Sequence, residues 1–235
     1  MPLRAEPDTA ASGLALAGLL QLVSPALPIG GFSYSQGLEA AADAGLVCDA
    51  ASAGQWIAGG LEVLARGEAT MLVRQFDAWQ RGDFAAVGDG NDTLLAWRES
   101  AEFRLETEQM GGSLARLAGE LGLGSDAERA ALARLRPIAL ATAFAYAALA
   151  LGVNRTDCVL GWLYAWLENQ VAAAIKAVPL GQLAGQRMLH GLRAAVVDAA
   201  HRAGSADDAQ ISTFAPQLAI LSARHETQYS RLFRS

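Results

Sequence analysis

Nowhere in this 235-residue chain do apolar and polar residues alternate over the length of a strand. β-Branched residues are sparse, Ala and Leu dominate, and the long apolar segments repeat at helical spacing. The expected fold is therefore all-α, a single-domain bundle of roughly ten helices over residues 1–235. Start and stop signals are frequent. Asp49 precedes a helix reaching about Arg66, and Asn91, Asp92 and Thr93 precede another. Ser125 with Glu128 forms a capping box ahead of a run through Leu151, and Thr156 or Asp157 caps the helix containing Val159, Leu163, Leu167 and Val171. Pro179 ends or kinks that helix because it has no amide proton. Residues 81–92 and 204–210 read as loops, neither long enough to link domains.

Composition sets what such a bundle can do. The chain is 52% hydrophobic and only 18% charged, so some of its surface should be covered by other chains. A net charge of −6 with no basic run argues against a nucleic-acid partner. Cys48 and Cys158 are single and far apart, which fits a reducing cytoplasm. Residues 14–23 are apolar, but Glu6 and Asp8 spoil the positive region an export signal needs. Residues 138–153 form an uncharged run of 16, short of the roughly 20 that span a bilayer. Both are expected as buried helices with no membrane partner, and the first dozen residues as a flexible terminus.

The most sharply specified segment is 24–39. Pro25 and Pro28 forbid helix across its approach, and Gly30 and Gly31 give the backbone freedom no other residue has. Ser33 reads as an N-cap with Gln36 completing a capping box. Phe32 and Tyr34 are thereby presented at a rigid helix entrance, either tucked into the core or offered to a partner as a preformed docking surface.

Groups for catalysis are few. His190 and His201 share a helix face but lie about 16 Å apart along its axis. Glu99, Glu102 and Glu106 form a ridge that reads most simply as a solvated face, with Arg98 and Arg104 nearby. A helical carboxylate metalloenzyme using Glu99, Glu102, Glu106, Asp198 and His201 is the alternative reading. No Cys-x-x-Cys, Gly-x-Ser-x-Gly or phosphate loop is present. Among 18 basic residues Lys176 is the only lysine, in an otherwise apolar helix. Gly181, Gln182, Gly185 and Gln186 follow it, small and amide residues suited to close approach by another helix, within this chain or from a second subunit. The end of the chain sets Tyr229, Leu232 and Phe233 between Arg224, Arg231 and Arg234, the residue mix of interface hot spots.

Segment 20–39 resembles the signature of urease accessory protein F. Segments 106–114 (Glu-Thr-Glu-Gln-Met-Gly-Gly-Ser-Leu), 177–186 (Ala-Val-Pro-Leu-Gly-Gln-Leu-Ala-Gly-Gln) and 226–235 (Glu-Thr-Gln-Tyr-Ser-Arg-Leu-Phe-Arg-Ser) look like the same family, in the same order. The resemblance implies an adaptor without enzymatic activity. It would dimerise and bridge accessory protein D, called H in some species, to the GTPase accessory protein G, so that nickel reaches apo-urease. It implies no stably bound cofactor, nickel and GTP being handled by the partners. The interface candidates are Pro28, Gly30, Phe32, Tyr34, Ser35, Gly37 and Glu39 in the turn, and Gly181 and Gln182. Lys176 falls in the block where the family contacts the GTPase. Tyr229, Arg231, Phe233 and Arg234 lie in a tail, residues 227–235, that becomes ordered in a groove of the neighbouring accessory protein.

Overall fold

The structure, a computed structural model, describes residues 9–235. Among them there are eleven α-helices and no strand: α1 (Thr9–Leu22), α2 (Leu38–Asp43), α3 (Ala50–Arg66), α4 (Glu68–Arg81), α5 (Phe84–Ala96), α6 (Ala101–Glu120), α7 (Asp126–Arg134), α8 (Leu140–Ala150), α9 (Arg155–Ala177), α10 (Gln182–Ser205) and α11 (Pro216–His225). The all-α expectation holds. The flexible terminus falls mostly on residues 1–8, outside the described residues, and α1 begins at Thr9.

The bundle is organised around α8. Ala141, Ala143, Ala145, Ala147 and Ala148 are all buried, because a helix apolar on every side has no face to give to water. Its small side chains let α4 and α6 pack directly on it. Trp79 of α4 donates from Nε1 to the Thr142 carbonyl at 3.2 Å, and its ring tilts against Tyr146 at 5.1 Å. On α6, a Cβ at Gly111 would stand 2.2 Å from the Ile138 carbonyl oxygen, so only glycine permits that approach. A second layer is formed by α10 lying along α9 and α3. No described helix is long and apolar enough to cross a membrane.

Local signals are met where caps are strong. Asp49 and Ser52 cap each other at the start of α3, as do Ser125 and Glu128 at α7. Elsewhere the boundaries differ from expectation. Asn154, not Thr156 or Asp157, caps α9 by accepting from the Asp157 amide at 2.9 Å. Residues 84–92 are helix rather than loop; Asp83 caps α5, and Asn91 is buried inside it, bonded to the Pro137 carbonyl and the Ala139 amide. Pro137 splits the expected run through Leu151 into α7 and α8. α1 is not buried throughout: Leu14, Leu16 and Leu20 face outward.

Candidate functional site

The turn at 24–39 and the end of the chain form one structure. The capping box expected of Ser33 and Gln36 does not form. Residues 31–33 make a single 3-10 turn, and Gln36 takes a positive φ of 50°, which turns its amide inward. Its nitrogen donates to Glu106 Oε1 at 2.6 Å, while its oxygen accepts from the Trp166 indole. Gly37, at φ 80°, then opens α2; a Cβ there would come within 2.8 Å of Leu218. Left-handed backbone and crowding together require glycine.

Three acidic side chains are folded inward around the tail. Glu39 on α2 accepts from the Leu232 amide at 2.7 Å and the Phe233 amide at 3.0 Å, one on each carboxylate oxygen. On α6, Glu102 and Glu106 lie four apart on one helix face, whose N-cap Ser100 accepts from the Phe103 amide. Glu102 meets Arg231 Nη1 at 2.7 Å and His225 Nδ1 at 2.7 Å. The other imidazole nitrogen of the fully buried His225 faces Glu39 at 3.1 Å. Glu106 accepts from the Ser235 hydroxyl at 2.9 Å. Two backbone bonds fasten the tail along the turn: Arg234 donates to the Ser33 carbonyl at 2.8 Å, and Ser35 to the Ser235 oxygen at 2.9 Å. The Glu102–Glu106 ridge is thus not a solvated face. Buried carboxylates are tolerable only with donors, and here the tail supplies them.

Burial shifts two groups of this seat. The Glu106 carboxyl is pushed up to about 7 by desolvation, partly offset by the Gln36 and Ser235 hydrogen bonds and by Arg98. Burial also raises the Tyr34 phenol, with the neighbouring Glu106 charge adding to it.

The interface candidates divide by exposure. Tyr34, Ser35, Gly37, Glu39 and Phe233 are buried, so they build the seat rather than offer a free surface. Of the two readings of Tyr34, the structure takes the one tucked into the core: its hydroxyl donates to Gln109 at 2.6 Å, and Asn169 donates to its carbonyl at 2.9 Å. Pro28 is exposed and Gly30, at φ 81°, partly so. Phe32 is 66% exposed, Leu232 69% and Tyr229 fully, leaving three large apolar groups facing outward. Arg231 and Arg234 are exposed beside them. Lys176 belongs to the same region: its Nζ lies 5.5 Å from the Phe233 ring centroid. Gly181 and Gln182 are exposed at the start of α10, whereas Gly185 packs within the chain against Ile175.

The residues of the metalloenzyme alternative do not gather. Glu102 and Glu106 are engaged by the tail, and Asp198 and His201 are exposed on α10. Among the described residues no group of three or more His, Cys, Asp or Glu is arranged to hold a metal ion. Sequence reasoning missed His225 and the inward role of Glu102 and Glu106. Their tail partners are more than 120 residues away, and no local pattern announces them.

Comparison with known proteins adds two findings. The sequence model of the UreF family matches residues 47–193. The urease accessory protein UreF of Ralstonia pickettii (strain 12J) is 56% identical over 223 residues, covering 94% of this chain and 97% of that protein.

Proposed function

This chain belongs to the UreF family of urease accessory proteins, and from that premise we propose that it is a non-enzymatic adaptor in urease maturation. It dimerises and bridges accessory protein D/H to the GTPase accessory protein G, and the assembly inserts nickel into apo-urease in the cytoplasm. Nickel and GTP are cargo and fuel of the partners, and this chain holds no cofactor of its own. Its role is positional. A GTPase that contacts it differently in two nucleotide states would couple hydrolysis to metal release.

One observation carries this reading. The carboxylates of Glu39, Glu102 and Glu106 are engaged in fastening the tail to the bundle, while Phe32, Tyr229 and Leu232 are left facing solvent. Chemistry would need a free nucleophile or general acid–base pair, and these carboxylates are already taken by the tail. Docking needs rigidly held apolar anchors, and this surface has them. Lys176 and the turn of Gly181 and Gln182 lie beside or beyond the tail and suit a second contact, the one assigned to the GTPase. Burying such moderate contacts twice in a symmetric dimer yields a tight complex. Co-expression with D/H and G tests the proposal. The three chains should elute as one species in size-exclusion chromatography, and separate elution of this chain would overturn it.

A further inference from the structure

A trough runs along the outer side of α6 between the turn and the segment from α7 to Ile138, with a volume of about 960 Å³. In a chain of net charge −6, its charged lining is four arginines, Arg116, Arg129, Arg136 and Arg234, against one carboxylate, Glu108. Glu108 is already paired with Arg104 at 2.8 Å, and Arg129 with Asp126. Arg116, Arg136 and Arg234 have no ion-pair partner among the described residues. Arg116 meets only the Ser113 hydroxyl and Arg136 only the Ala133 carbonyl, whereas Arg234 meets Gln109. Three guanidinium groups without ion-pair partners lining one concave surface focus a positive potential there.

Their spacing says what would satisfy them. Arg234 sits at the level of Gln109 and Arg116 seven residues further along α6, so the two lie about 10 Å apart along the axis at 1.5 Å per residue. A phosphate or single carboxylate cannot bridge that gap. A peptide extended as polyproline II advances about 3.1 Å per residue with three residues per turn, so carboxylates three residues apart share one side about 9 Å apart and match it. The floor admits a main chain, because beyond Gly112 and Gly119 there is nothing within 4 Å of where a Cβ would stand. Guanidinium groups also bind carboxylates in a bidentate way that fixes register.

We propose that this trough binds an extended acidic segment of a partner polypeptide, with two carboxylates three residues apart held by Arg234 at one end and Arg116 at the other, and Arg136 alongside. The trough shares Tyr34 and Arg234 with the tail seat but does not depend on the adaptor reading, since its test requires no accessory protein.

The probe is a capped hexapeptide of Ser and Thr with Glu at its first and fourth positions, titrated into the full-length ¹⁵N-labelled chain. The expected result is saturable shifts of the Gly112, Ser113 and Gly119 amides, weakened at least tenfold by raising salt from 50 to 300 mM. The Arg116→Gln/Arg136→Gln variant, altered only at exposed side chains, should bind at least tenfold more weakly while keeping its spectrum otherwise intact. The proposal is overturned if the Gln counterpart of the peptide binds within twofold of the Glu form, or if the double variant binds as the wild type does. It is equally overturned if inorganic phosphate or ATP at the same concentration shifts those amides more than the peptide, since the trough would then be a small-anion site.

Discussion

The Lys176 ammonium lies over the Phe233 ring at 5.5 Å, joining the one lysine of the chain to its buried tail anchor. Phe233 in turn donates its amide to Glu39, so α2, α9 and the tail meet at one point. Exposed cation–π contacts stabilise by about 0.5–1 kcal/mol. Lys176→Ala should therefore change unfolding free energy by no more than about 1 kcal/mol in urea titrations. Its affinity for the GTPase should fall at least tenfold in a binding assay on purified proteins.

Glu39 is the main clamp of the tail. Charge-assisted hydrogen bonds contribute about 1.5–3 kcal/mol each, and Glu39→Ala removes two from backbone amides as well as the contact with His225. The variant should lose about 3–5 kcal/mol of stability by urea unfolding. Limited proteolysis should cut within residues 227–235 while the helical core stays intact.

Glu106 makes the seat pH-dependent. Its folded-state value of about 7 stands above the 4.5 of the free group, so the folded chain keeps a proton that the unfolded chain has lost. The cost of ionising it in the fold is absent below about pH 4.5, grows between 4.5 and 7, and is complete above 7. Glu106→Gln cannot ionise. Its stability relative to the wild type should rise between pH 5 and pH 8 by up to about 3 kcal/mol, read from urea midpoints at the two pH values.

Adjacent glycines on α6 should respond oppositely. Gly111→Ala drives a Cβ to 2.2 Å from the Ile138 carbonyl oxygen, with backbone rather than a flexible side chain in the way. A loss of about 3 kcal/mol or more follows from separating α6 from α8. Gly112→Ala meets open space and gains the helix propensity of alanine, about 0.5–1 kcal/mol. Thermal melts of the two variants against the wild type check both signs.

The sequence is most legible where structure is local. The helix start at Asp49, the reciprocal cap at Ser125 and the stop before Pro179 depend on residues within one turn, and all three occur. Residues 81–92 were misleading because their glycines do different things. Gly82 closes α4 at φ 66°, while Gly90 sits inside α5, where a Cβ would strike the Gln75 amide at 2.1 Å. Such a glycine is there for packing and not for a turn. The site is legible as a set of segments and illegible as an arrangement. The turn, Lys176 and the tail stand out in sequence, yet nothing local says that Tyr34 points inward. Nor does it show that Glu39, Glu102 and Glu106 turn away from water to hold residues 225–235.

Affinity for accessory protein D/H, measured by isothermal titration with the purified wild type and with Tyr229→Ala/Leu232→Ala, bears most directly on the adaptor role. Both side chains are exposed, and neither takes part in fastening the tail, whose bonds to Glu39 come from the backbone. The prediction is an unchanged melting temperature with affinity at least about 30-fold weaker, the loss of one interface hot spot. Binding within threefold of the wild type would contradict the claim that this end of the bundle is held by another polypeptide.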